Sequence, residues 1–158
     1  QPQQSLMTTK SRRRTIRSLP DFYRYCELAG VRFTSLHAEA ADDELVDEPG
    51  SAFLEASWEM REEDRYLVAE FRVRLRTESF QYRLSAAAGY RSKSDRPFRV
   101  TEEVAGGLIN QSAVITVIPF LREGLMSLAG RVGDLPAPLL PLVGSGTGQR
   151  LVVVDDTD

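Results

Sequence analysis

Ala113–Val143, AVITVIPFLREGLMSLAGRVGDLPAPLLPLV, is the longest apolar stretch in the chain, and its reading decides the fold. From Val114, the positions Val114, Ile118, Leu121, Leu125, Leu128 and Val132 step by 4, 3, 4, 3 and 4, which is a helical stripe. The opposite side carries Phe120, Met126, Ala129 and Gly130 and is hardly more polar. A helix apolar most of the way round is covered on two sides. One sheet covers one of them, so the other implies a second subunit or a ligand, with Gly124 and Gly130 allowing close approach of a partner backbone. Gly133 fits as the left-handed residue that ends the helix. Two features oppose a continuous helix. Pro119 removes a backbone bond, at ~3 kcal/mol in a helix interior, and Val114–Ile118 is β-branched throughout, which favours a strand. These residues also allow a strand ending at Ile118, with Pro119 as the first residue of the helix. In the Leu135–Val143 arm, LPAPLLPLV, three prolines exclude a regular central strand or helix. The arm is expected to run extended with its leucines in line, either packed on its own sheet or lining a groove for another chain.

Upstream, three segments alternate cleanly. Ala52, Leu54, Ala56, Trp58 and Met60 share a face opposite Glu55, Ser57, Glu59 and Arg61. Leu67, Ala69, Phe71, Val73 and Leu75 do the same against Glu70, Arg72, Arg74 and Arg76, as do Phe80, Tyr82, Leu84, Ala86, Ala88 and Tyr90 against Gln81, Arg83 and Ser85. Each is a half-buried strand. Asp21–Ala38 reads as a longer, irregular strand with a bulge at Ala29–Gly30, with Val31, Phe33 and Ser35 on one side and Arg32, Thr34 and Leu36 on the other. The polar turns at Glu62–Asp64 and Thr77–Ser79 are too short for crossover helices, so the sheet is an antiparallel meander of about four strands with one apolar face. Glu55 and Glu59 are expected across from Arg72, Arg74 and Arg76. Thr101, followed by Glu102–Glu103, caps a short helix that Gly106–Gly107 is expected to end. The fold class is therefore α+β: a four-stranded antiparallel sheet with one long helix on it.

At 158 residues the chain is one domain, able to bury roughly 68–70% of its unfolded surface without staples. Residues 1–19 read as a flexible basic tail (Lys10–Arg17 is KSRRRTIR), 20–143 as the folded domain, and 144–158 as a flexible tail in which Leu151–Val154 forms an edge strand or frays. The acidic Glu39–Glu48 run, with Pro49–Gly50, is a loop. One cysteine, Cys26, and one histidine, His37, exclude a disulfide framework and leave little for a zinc site or a catalytic triad. A net charge of −3 argues against a nucleic-acid face. No charged-then-apolar leader and no uncharged apolar run of 18 residues is present, so a soluble, cytosolic protein is expected, with no membrane contact, metal or cofactor.

Ile118–Pro141, IPFLREGLMSLAGRVGDLPAPLLP, resembles the signature of the SecB export-chaperone family: a Pro-aromatic pair (Pro119, Phe120), Arg122–Glu123, a helix end at Arg131 and Gly133, and a proline–leucine arm at Pro136, Leu139 and Pro141. Tyr66–Arg76 and Phe80–Tyr90 resemble the family's third and fourth strands, and Asp21–Ala40 its long first strand. The resemblance implies a helix that runs through the proline, near Ser112–Val132. It also implies a homotetramer built as a dimer of dimers, with the helices between sheets, and an interface at Val117, Phe120, Gly124, Met126, Ser127 and Gly130. It further implies a holdase that works without ATP or any catalytic residue, keeping unfolded polypeptide soluble in long apolar grooves. Candidate groove residues are Phe22, Tyr23, Tyr25, Phe33, Trp58, Leu135, Leu139, Leu140 and Leu142. Some members deliver precursors to the export motor SecA; SecB-like relatives tied to toxin–antitoxin operons protect an antitoxin. The family's second helix and its motor-binding tail have no match in GSGTGQ and LVVVDDTD, and Trp58 does not align with the family's groove tryptophan, so the antitoxin branch fits better than export. The competing readings are a dedicated interaction subunit of a toxin–antitoxin complex and a small-ligand carrier with a cavity between sheet and helix.

Overall fold

An antiparallel sheet and one long helix make up most of the computed structural model, which describes residues 13–42, 44, 47–140 and 152–155. In chain order the elements are β1 (Arg14–Ile16), α1 (Leu19–Tyr25), β2 (Cys26–Ala40), β3 (Ala52–Arg61), β4 (Tyr66–Arg76), β5 (Phe80–Ser92), β6 (Phe98–Val100), α2 (Glu102–Leu108), α3 (Val114–Val132) and β7 (Val152–Asp155). Strands pair in the order β2-β5-β4-β3-β7. The first four are antiparallel as expected, and β7 adds a fifth, parallel edge strand beside β3.

The period-two pattern sets which face is buried. Ala56 and Trp58, Leu67, Ala69, Phe71, Val73 and Leu75, and Tyr82, Leu84, Ala86, Ala88 and Tyr90 all lie in the core. The opposite face is polar and charged, with Ser57, Gln81, Ser85 and Ala87 on it buried. Arg72 reaches Glu55 across the strands at 3.9 Å, as the alternation predicts. Glu59 instead pairs with Arg61 on its own strand, and Arg74 and Arg76 turn to Asp47, Arg74 Nε donating to its carboxylate at 2.6 Å and Arg76 to its carbonyl.

The N-terminal reading needs correction in two places. Residues Arg14–Ile16 are not tail: they pair in parallel with Phe98–Val100, and Ile16 is buried in the core. Residues 1–12 of the expected tail lie outside the described residues. Asp21–Tyr25 is not strand but the body of α1. Ser18 caps that helix, its hydroxyl accepting the Asp21 N–H at 3.3 Å, and Pro20 stands in the first turn, where its missing N–H removes nothing. Strand β2 begins at Cys26 and carries the expected bulge at Leu28–Gly30. A second irregularity at Phe33–Ser35 shifts the alternation by one residue. Thr34 bonds the Ser85 hydroxyl at 2.7 Å on the outer face, and Leu36 joins Phe33 on the helix side rather than opposing it.

The long helix is also longer than expected. Thr101 caps α2 through the Val104 N–H at 3.3 Å. Gly106–Gly107 does not end it: the chain passes through a π turn at Ile109–Ala113 into α3, giving a continuous helix Glu102–Val132 of 31 residues. Each glycine disfavours helix by about 1 kcal/mol, outweighed here by burial of Val104, Ala105, Leu108 and Ile109. Pro119 sits mid-helix on the exposed side, so its ring meets no neighbouring element. Gly133, at φ 77°, closes the helix with its N–H on the Ala129 carbonyl. The helix is long and apolar enough to cross a membrane by length and composition, and half of its most apolar window is buried in this domain.

Candidate functional site: an apolar strip and arm beside the sheet

Helix α3 lies over β5 and β2, and the close approach is set by one residue. A Cβ on Gly124 would stand 2.9 Å from Phe33 Cε1 and 3.2 Å from both Leu36 Cδ2 and Leu84 Cδ2. Gly124 is therefore the notch through which the helix reaches its own sheet, and it is not available to a partner backbone. Val117 is likewise fully buried in the chain's own core. Both leave the set of expected interface residues for the same reason: their positions around the helix point at the sheet. Phe120, Met126, Ser127 and Gly130 are exposed, and the outward face also carries Ile115, which sequence reasoning missed. The signal for Ile115 was available, since one step on from Val114 turns it about 100° away from the stripe.

The helix does not cover the edge of the sheet. On β2, Leu28, Phe33 and Leu36 stand opposite Tyr90, Ala86 and Leu84, so they share the core-facing side, yet each is 37–48% exposed. Phe33 meets Phe120 edge-on, ring centroids 6.4 Å apart, which closes the strip against the helix. The outer edge of β2 has no strand partner among the described residues. Leu28 and Leu36 were absent from the expected groove. The second bulge is what brings Leu36 to this side, and no residue type announces it.

Beyond the helix end the chain is tied down and then released. Asp134 accepts the Tyr82 and Thr77 hydroxyls, each at 2.8 Å, pinning the start of the arm to the β4–β5 turn. Burial, then the hydrogen bond to Asp134 and its charge, push the Tyr82 hydroxyl well above the ordinary tyrosine range. Leu135 and Leu139 project outward, 77% and 83% exposed, whereas Leu140 folds back into the core. Pro138 and Leu139 form one wall of a cleft of about 400 Å³, with Pro49, Gly50, Ala52 and Leu75 opposite. Leu142 lies outside the described residues.

The remaining expected groove residues divide. Phe22 is fully buried, stacked edge-on against Tyr90 at 5.5 Å and Phe98 at 6.3 Å, because α1 turns it inward. Trp58 is buried opposite Ala69 on the core face. Neither is exposed on the surface of this domain. Tyr25 carries the Arg14 guanidinium 3.6 Å above its ring, and Tyr23 is exposed at the far end of the sheet from the arm.

Among the described residues no group of three or more His, Cys, Asp or Glu side chains is placed to hold a metal. Burial pushes the Cys26 thiol up to about 11, against the pull of Arg14 and Lys93, which leaves it protonated at neutral pH. His37 is exposed, 3.6 Å from Glu39. The space between helix and sheet is filled by Tyr82, Phe71, Leu67, Val117, Leu121 and Leu125, all fully buried.

No family model matches the chain, and no curated protein sequence matches it. Solved structures do. The Mycobacterium tuberculosis SecB-like chaperone Rv1957, in complex with a ChAD peptide from the antitoxin Rv1956 HigA1, is similar at TM-score 0.59 and 17% identity, over 80% of this chain and 93% of that one. A Streptococcus agalactiae protein of unknown function is similar at TM-score 0.49 and 10% identity, over 74% of this chain and 97% of that one. The first likeness, spanning nearly the whole of the mycobacterial chain, defines the class: an α+β domain with a SecB-like fold.

Proposed function

We propose that this protein is an ATP-independent holdase that binds unfolded or non-native polypeptide along extended apolar surface. The observation that carries the reading is the half-exposed strip of Leu28, Phe33 and Leu36 beside a strand edge that has no partner among the described residues, on a SecB-like fold. Soluble domains leave such side chains exposed in line where another chain covers them. Contacts of this kind yield ~25 cal/mol per Å² of apolar surface, with little preference for sequence. The leucines of the arm extend the surface past the helix end. A small-ligand carrier is disfavoured by the filled space between helix and sheet. The client most in keeping with the likeness is an antitoxin, because the similar chaperone was solved with an antitoxin peptide; an export precursor is the alternative client. On this reading the protein acts in the cytoplasm as a homotetramer, a dimer of dimers. The outward helix face of Ile115, Phe120, Met126, Ser127 and Gly130 would be covered by a second copy.

The test is aggregation of a reduced or chemically denatured client at equimolar protein without nucleotide, followed by light scattering. Suppression is expected, and its loss in a Phe33→Ser/Leu36→Ser variant. Failure with every client rejects the holdase. Native mass tests the assembly separately, a clean monomer contradicting it.

A further inference from the structure

Strand β3 has two very different edges. On one side all ten residues pair with β4, from Ala52↔Leu75 to Arg61↔Tyr66. On the other, among the described residues, only Glu55–Trp58 has a partner, the four residues of β7. That partner is parallel in an otherwise antiparallel sheet, the slightly weaker arrangement per residue. Its sequence, Val-Val-Val-Asp, is a strand former by composition alone. Between the arm and β7 the sequence runs Gly144, Ser145, Gly146, Thr147, Gly148, a composition that favours neither helix nor strand. The unpaired end of the edge, Ala52–Leu54, opens into the cleft walled by Pro138 and the exposed Leu139, with Ala52 belonging to both.

We propose that the outer edge of β3 is a docking edge for an extended, β-branched client segment, and that the chain's own residues Val152–Asp155 compete for it from within. This rests on the holdase reading and assigns that activity a place. Main-chain hydrogen bonds along the edge supply affinity indifferent to sequence, while the cleft takes an apolar side chain beside Leu139. The tail covers an edge that otherwise invites aggregation. It yields to a client because it holds on through four residues where a longer segment also takes Ala52–Leu54.

The experiment compares three forms: the full chain, a chain ending at Val143, and a full-length Val153→Pro/Val154→Pro variant. Two successive prolines remove the ladder N–H whichever of the two faces β3. The probe is dye-labelled, reduced and carboxymethylated lysozyme, read by anisotropy, with hydrogen exchange at Glu55–Trp58. A tail that occupies the edge most of the time lowers apparent affinity by the open fraction, so both altered forms are expected to bind about five- to tenfold tighter. Their Glu55–Trp58 amides are expected to exchange faster when free and to regain protection with the probe bound. Equal affinity in all three forms, or no client protection at Glu55–Trp58, overturns the docking edge while leaving the holdase standing. No binding by any form overturns both.

Discussion

Replacing Gly124 with alanine puts one methyl group into the contact that seats the long helix on the sheet. The new carbon would meet Phe33 Cε1 at 2.9 Å and Leu36 Cδ2 and Leu84 Cδ2 at 3.2 Å. Phe33 and Leu36 are half-exposed and can swing outward; Leu84 is 2% exposed and cannot. Forcing a methylene into a packed contact costs about 1–3 kcal/mol, and exchanging glycine for alanine within a helix returns about 1 kcal/mol. The net is a loss of about 1 kcal/mol, or roughly 3 °C in Tm for a domain of this size. Gly130→Ala is the control: it lies in the same helix with nothing within 4 Å of the added carbon. It should gain about 1 kcal/mol, so the two variants move in opposite directions in calorimetry. Native mass on Gly130→Ala also reports whether a second helix packs on the outward face. If Gly124→Ala stabilises as much as Gly130→Ala, the helix is not seated on Phe33, Leu36 and Leu84, and the apolar strip beside it does not exist in that form.

Phe22→Ala should cost about 3–5 kcal/mol, as for any large core side chain; denaturant unfolding checks it, and a value near zero would return Phe22 to the surface. Leu135→Ser/Leu139→Ser should leave stability within about 0.5 kcal/mol while weakening client binding in titration. Asp134→Asn removes a charged acceptor shared by the Thr77 and Tyr82 hydroxyls, worth about 1.5–3 kcal/mol per bond to a charged group; a midpoint shift in urea measures it, and exchange in Leu135–Leu140 should rise with it. Alkali provides a further test. Burial raises both Tyr82 and Tyr90, the latter to about 12. Folded and unfolded chains are equally protonated below pH 10, so this contribution is fully present there. Above it the unfolded tyrosines ionise first, and stability should fall by up to about 1.4 kcal/mol per pH unit for each. Urea midpoints between pH 8 and 11 should show that slope, roughly halved in Tyr82→Phe.

The sheet was legible because its signal is strong and local. β3, β4 and β5 each alternate over ten or more residues, and a one-residue slip of register would turn a whole apolar set outward. The helix was legible as a stripe only from Val114 onward. The π turn at Ile109–Ala113 inserts a residue and rotates α3 about the helix axis, so the α2 and α3 stripes are out of phase. Read at 3.6 residues per turn they look like two helices, and Gly106–Gly107 supplied a false end. α1 was hidden by its aromatics, which favour strand. Ser18, Pro20 and Asp21 are the capping signals that identify it. The site was harder still, because exposure is not a property of residue type. Phe33 and Phe22 are the same side chain eleven positions apart, one on an uncovered strand edge and the other turned inward by a short helix.

The hairpin turn at Glu62–Asp64, three consecutive residues at φ 52°, 57° and 66°, does more than reverse the chain. Its Asp64 carboxylate holds Arg13 at 2.8 Å and Arg99 at 3.1 Å, so the N-terminal flank is moored where β4 begins. The arm is moored by Asp134 to Thr77, where β4 ends. From Tyr66 to Arg76 is ten steps, which at about 3.4 Å each separates the two moorings by about 34 Å. The two flanks of the chain are thus fastened at opposite ends of one strand, and loosening one mooring leaves the other held.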